Sequence, residues 1–293
     1  MSVFDHEYRP YEGRLTALGS RPLVLARYAM NEAWSSKISV GLFVLGLLPC
    51  LVNLVIIYVA DNPIARALIL RGGGGNTPFS IGESFFLQVL ETQCWFALVL
   101  AAWIAPRLVS FDLSDNALPI LLSHPISRFG YLLGKFIALA VFLSYVTWIP
   151  CLTLFVYQCY ASPVPWGMDH LRLGAGLFIG AAIWILLLSM VGLAVSSWVK
   201  WRVIATGAMF AVVFVPAGVG GIASAILRTK WGLLLNIPVV MSELWQRLLG
   251  APSFMNSRLD LPTFAIVSVL IAACMLCVAV LNARIRAREV VRG

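Results

Sequence analysis

Six stretches of about 20 or more apolar residues run through the chain, separated by polar connections. They are Ile38–Ala60, Phe85–Pro106, Leu132–Gln158, Leu173–Val199, Val203–Leu227 and Thr263–Ala283. At a rise of about 1.5 Å per residue, each is long enough to cross a hydrocarbon layer of about 30 Å as one helix. The pattern predicts an all-α integral membrane protein with six transmembrane helices over residues 38–283. Two other segments show helical spacing instead of a continuous apolar run. Ser20-Arg-Pro22 suits a helix start, and Leu23, Ala26, Met30 and Trp34 follow as a stripe. Arg27, Asn31, Glu32 and Lys37 lie mostly off that stripe. This predicts an N-terminal interfacial helix over Pro22–Lys37 in the inner headgroup layer, within a cytoplasmic segment of residues 1–37. In the long connection Arg228–Pro262, Ile237, Val240, Leu244 and Leu248 repeat at helical spacing while Ser242, Glu243, Gln246 and Arg247 face away. An external interfacial or re-entrant helix before span six is the expectation there. Residues 284–293 form a basic tail.

Composition agrees with this reading. Of the 293 residues, 60% are hydrophobic and only 12% charged, against about 25% charged in soluble domains. Mean hydropathy is +0.90. The net charge of +8 is concentrated between and outside the apolar runs. That placement is a topology signal and a lipid-headgroup contact, and no nucleic-acid partner is expected from it. Arg9, Arg14, Arg21, Arg27, Lys37, Arg107, Arg128, Lys135, Lys200, Arg202, Arg284, Arg286, Arg288 and Arg292 fall on one side. Arg66, Arg71, Arg172, Arg228, Lys230, Arg247 and Arg258 fall on the other. The richer side is expected to be cytoplasmic, with both termini inside the cytoplasmic (inner) membrane of a prokaryote. No cleavable signal peptide is expected, because the first ~35 residues lack an apolar core region. Five of the six cysteines lie in apolar runs and read as small hydrophobes; Cys274-x-x-Cys277 sits mid-helix without further ligands nearby in sequence, so no metal is expected.

Little in the chain points to catalysis. Gly130-x-x-x-Gly134-Lys135-Phe136 has one residue too few for a phosphate loop, and Phe136 replaces the hydroxyl that would hold magnesium. The four glycines of Arg71–Asn76 lack a following helix start with Lys-Ser/Thr and read as a loop. His6, His124 and His170 are far apart in sequence. Glu91 is the one acid well inside an apolar run. Gln88, Thr92 and Gln93 flank it, and Asn53 is placed to face it from span one. Polar groups at membrane depth cost several kcal/mol unless satisfied, about 2.5–3.5 for a charge. Asn53, Gln88, Glu91 and Gln93 therefore line a translocation path or a dimer seam, or form a hydrogen-bond network that fixes helix packing.

The connection from Arg107 to Lys135 is the most informative cytoplasmic segment. Asp112, Ser114 and Asp115 suit a helix N-terminus. Leu118, Leu121 and Leu122 supply an apolar side, and Pro125 ends it. Arg107 and Arg128 anchor at the headgroups, Lys135 snorkels to the same level, and Arg27 and Trp34 anchor the interfacial helix. The segment Asp112, Asn116, Ala117, Leu121, Leu122, Ser123, Pro125, Ile126, Ser127, Arg128, Tyr131, Gly134 and Lys135 resembles the permease subunits of type-2 ATP-binding-cassette (ABC-2) exporters. Ser114 and His124 depart from the basic residues many members carry at those positions.

The resemblance implies a cytoplasmic coupling helix that docks on a separate ATP-binding-cassette ATPase. Asp112, Asp115, Asn116, Ala117, Leu118, Leu121, Ser123, His124, Pro125 and Arg128 would carry the contact. ATP and magnesium would be bound by that partner and no cofactor by this chain. A second permease chain, the same or different, would complete the transporter. Separately from the resemblance, Trp95, Trp103, Trp148, Trp184 and Phe214 are available to line a path, which would suit an amphipathic or lipid-like substrate, although aromatic residues at membrane edges more often act as interface anchors. The alternative is a membrane transmitter that passes ATPase strokes to a periplasmic protein through the external connections, without passing a substrate. A secondary transporter would call for several membrane ionisable groups, and the sequence supplies mainly Glu91.

Overall fold

The computed structural model describes residues 18–62, 81–114, 128–162, 166–199, 201–251 and 261–287. These are helical throughout, with short turns. After a 3-10 turn at Leu18–Ser20 come α1 (Arg21–Ser35), α2 (Lys37–Asp61), α3 (Glu83–Ser114), α4 (Arg128–Ser144), α5 (Trp148–Ala161) and α6 (Trp166–Asp169). Then follow α7 (Leu171–Trp198), α8 (Arg202–Leu227), a 3-10 segment Lys230–Leu235, α9 (Ile237–Leu249) and α10 (Thr263–Ala287). Six stretches are long and apolar enough to cross a membrane: Lys37–Asp61, Glu83–Leu108, Phe129–Ala161, Leu171–Trp198, Arg202–Leu227 and Thr263–Ala283. They coincide with the six apolar runs of the sequence.

Spans two, three and four make the centre. Phe86, Leu90, Leu98, Phe142, Leu154 and Leu173 are among their fully buried side chains. Spans one, five and six lie outside and expose apolar residues such as Leu51, Val203 and Phe264. An exposed apolar surface of this kind is what a lipid solvent, or a neighbouring subunit, covers.

Span three is not the single continuous helix its apolar run suggests. It is broken between α4 and α5, at residues 145–147. Pro150 is the cause: it has no N–H to donate to the Val146 carbonyl, and its ring crowds that turn. The chain tightens locally, with the Val146 and Thr147 amides both donating to the Leu143 carbonyl. Span two differs in the opposite sense. The helix α3 runs on through Asp112 to Ser114, so these residues close it instead of opening a new helix. Nothing in Leu108–Ser114 breaks helical geometry, and Pro106 is accommodated inside the helix.

The N-terminal helix forms as expected, but its packed face is rotated. Ala26, Ala29 and Ala33 are buried, whereas Leu23, Val24 and Tyr28 are exposed. Small side chains win the inward face because α1 lies very close to α4. A Cβ on Gly134 would stand 2.8 Å from the Pro22 carbonyl oxygen and 3.0 Å from Leu25, so only glycine permits the approach. Trp34 locks the far end of α1, with ring centroids 4.9 Å from Phe43 and 4.8 Å from Phe142.

Candidate functional site

Glu83 and Glu91 lie eight residues apart on α3, which puts Glu91 about 12 Å into the span by helical rise. Its carboxylate accepts a hydrogen bond from the Ser242 hydroxyl at 2.5 Å. Ser242 belongs to α9, which the sequence itself builds: Asn236 caps the N-terminus by accepting from the Val239 amide at 3.2 Å, Pro238 fills the first turn, and Gly250 ends it at φ 75. The helix lies alongside spans two and four. Trp245 packs where a Cβ on Gly180 would sit 2.7 Å away, and its indole nitrogen donates to the Gly180 carbonyl at 3.1 Å. Gly180 is nine residues into span four, about 14 Å along it.

The expected division of α9 into an apolar inward stripe and an outward polar face is corrected by this packing. Val240 and Leu244 are buried, but so is Glu243, at 4% exposure. Glu243 accepts from Arg247 at 2.8 and 3.1 Å. Arg247 also donates to the Thr263 hydroxyl at 2.8 Å and the Leu261 carbonyl at 2.7 Å, at the start of span six. Arg172, at the start of span four, donates to the Arg247 carbonyl at 3.1 Å. A buried acid is tolerable because it is paired and because its partner is held in turn.

Between α3, α7 and α9 lies a cavity of about 220 Å³ whose lining includes Glu91, Trp95, Trp184, Ser242 and Trp245. Trp184 donates its N–H to the Cys94 carbonyl at 3.0 Å. Both buried indoles thus have their donors committed to backbone, and what they offer the cavity is aromatic carbon. Trp184 and Trp245 meet edge to face with centroids 5.8 Å apart. Trp95 is half-exposed and stacks at 6.0 Å on Phe214 of span five.

The four polar residues expected to act together are not brought together. Gln88 is exposed. Asn53 donates to the Pro49 carbonyl of its own helix at 2.7 Å. Gln93, fully buried, lies away from Glu91. With its amide nitrogen turned toward the two carbonyls, it donates to Gly46 at 2.9 Å and to Val146 at 3.1 Å. It therefore satisfies the carbonyl that Pro150 leaves open and ties spans one, two and three. The packing alternative describes Gln93, and the Glu91 side of the helix borders the cavity.

On α1, Arg27 is exposed, while Trp34 is packed against its aromatic neighbours. Lys135 is buried, 5.7 Å from the Tyr131 ring centroid, and is not spread on the surface. The Arg202 guanidinium lies 4.1 Å over the Trp103 ring. Nη1 of Arg107, Nη2 of Arg202 and Nε1 of Trp103 are buried without an acceptor among the described residues. Asp115, Asn116, Ala117, Leu118, Leu121, Ser123, His124 and Pro125 lie outside the described residues; Asp112 and Arg128 are placed only as the last turn of α3 and the first residue of α4. Sequence reasoning missed Ser242, Trp184 and Trp245 as partners of Glu91. The signal for α9 was present as Gly176-x-x-x-Gly180, a small-residue spacing that admits a close helix, with the Leu248 carbonyl 3.2 Å from a Cβ on Gly176.

No curated protein matches the chain. The sequence model for the ABC-2 family transporter proteins matches residues 92–283, which take in most of span two and all of spans three to six, α9 included. With six membrane-crossing helices arranged around that region, the chain belongs to the ABC-2 transporter family and is a membrane permease component of an ABC transporter.

Proposed function

We propose that the chain is the permease subunit of an ATP-driven exporter, coupled through the connection between α3 and α4 to a separate ATP-binding-cassette ATPase. The single observation that supports coupling there is the sequence Asp112–Lys135 between Arg107 and Lys135, a polar and basic insertion between two apolar spans. Glycine at 134 adds to it, since α1 docks directly against the helix that the connection enters. ATP and magnesium reside on the partner in this reading. A second permease copy or homologue faces the first, both termini lie in the cytoplasm, and the membrane is the inner membrane of a prokaryote. The substrate class is amphipathic or lipid-like, in keeping with the aromatic residues of spans two, four and five.

The test is co-expression and co-purification with candidate ATP-binding-cassette ATPases from the same genome. Asp115→Arg and Pro125→Ala are expected to abolish association and transport-coupled hydrolysis while leaving membrane insertion intact. Wild-type association and hydrolysis in both variants would refute the coupling role.

A second reading, transmission of ATPase strokes to a periplasmic protein, is favoured by the clasp of Arg247 with Glu243, Thr263, Leu261 and Arg172. It joins α9 to the starts of spans four and six and would carry force outward as one unit. Transport by the reconstituted permease and ATPase, with no periplasmic protein present, would count against it.

A further inference from the structure

The cavity beside Glu91 has a composition that selects its ligand. Among the described residues it offers one carboxylate and three indoles, and no lysine or arginine lines it. Ser242 occupies one carboxylate oxygen, and among the described residues no basic side chain pairs with Glu91. A carboxylate at that depth without a countercharge is costly, so the arrangement favours a bound cation. Aromatic faces attract cations through the ring quadrupole and do so best when the cation carries little hydration of its own, as quaternary ammonium groups do. The indole donors of Trp184 and Trp245 are already used by the Cys94 and Gly180 carbonyls, which fixes the rings and leaves them no hydrogen bond to offer an anion or a neutral acceptor. About 220 Å³ is below the size of a pocket for a drug-sized molecule and suits a headgroup. Trp95, 45% exposed, stands where the cavity meets the surface, so an apolar tail has a way out along span two.

We propose that this cavity binds an organic monocation of the quaternary-ammonium type, with Glu91 as counter-ion and Trp95, Trp184 and Trp245 as the aromatic walls. The site lies within one chain, between spans two and four and α9, and needs no second permease. It stands apart from the transport reading, because binding is measured without ATP or a partner.

The experiment is scintillation-proximity binding of radiolabelled choline to the full chain in maltoside micelles, which carry no cation. Competition uses unlabelled choline and its uncharged carbon isostere, in which a tert-butyl group replaces the trimethylammonium. Saturable binding is expected, with choline preferred over the isostere by at least about tenfold. Glu91→Gln is expected to reduce choline affinity by at least about tenfold while leaving the isostere unchanged. Trp95→Ala, at a half-exposed position, gives a second variant that does not disturb the Ser242 contact and is expected to weaken choline several-fold. Absence of saturable choline binding to the wild type, equal affinity for choline and isostere, or undiminished choline binding in both variants would each overturn the proposal. Adding phosphocholine-headed lipid to the micelles assigns the source: competition with choline marks a lipid headgroup as the natural cation, and no competition marks a free one.

Discussion

Replacing Gln93 by Leu removes two donors at once, and the two acceptors do not lose equally. The Val146 carbonyl has no helical partner because Pro150 follows it by four residues, so it is left unsatisfied in an apolar setting. Interhelical hydrogen bonds in membranes are worth about 0.6 kcal/mol on average and up to about 1.7. Gln93→Leu is therefore expected to destabilise the purified chain by roughly 1–3 kcal/mol, read as a lowered midpoint of unfolding in mixed micelles. Removing the ring constraint with Pro150→Ala in the same chain should recover part of that loss, since the Val146 carbonyl regains a helical donor. If Pro150→Ala rescues nothing, the carbonyl is not what Gln93 serves.

At the scale of elements, α1 and α9 are each held by one close approach and can be tested separately. Gly134→Val puts carbon against the Pro22 carbonyl, which is backbone and cannot rotate away. The expected cost is about 1–3 kcal/mol, enough to lift α1 from α4. A cysteine introduced by Ala29→Cys, at a position now 3% exposed, should then react with a maleimide that ignores it in the Gly134 background. For α9 the prediction concerns order. Arg247→Ala strands Glu243 in the protein at 4% exposure, at a cost of about 3–5 kcal/mol. Glu243→Gln leaves Arg247 with Thr263 and Leu261 as acceptors and should cost less. Equal unfolding midpoints for the two variants would contradict the clasp.

Over the whole molecule, much was legible from apolar run length alone. The six spans, the N-terminal helix and the helix before span six all follow from spacing, because membrane solvent makes length and hydropathy decisive. The candidate site was legible only in part. Glu91 stood out because charge at depth is rare, but its hydrogen-bond partner Ser242 comes from α9, 151 positions away in sequence. No periodicity reports such a contact, and a polar stripe on α9 reads outward until Gly176 and Gly180 are seen to admit it. The same limit explains Gln93, whose acceptors are backbone carbonyls and leave no trace in side-chain patterning.

The interruption of span three divides one rod into two arms. Its lower arm, α4, is gripped by α1; its upper arm, α5, rests on span one and span four. Three residues form the joint, and the Gln93 amide, anchored on span two, is the pin through it. Displacement applied at the Arg128 end of α4 would swing α1 and α4 together while α5 stayed seated. The stiffness of that joint, not the strength of the helices on either side, would then set how much of a displacement at the Arg128 end of α4 arrives at the Ala161 end of α5.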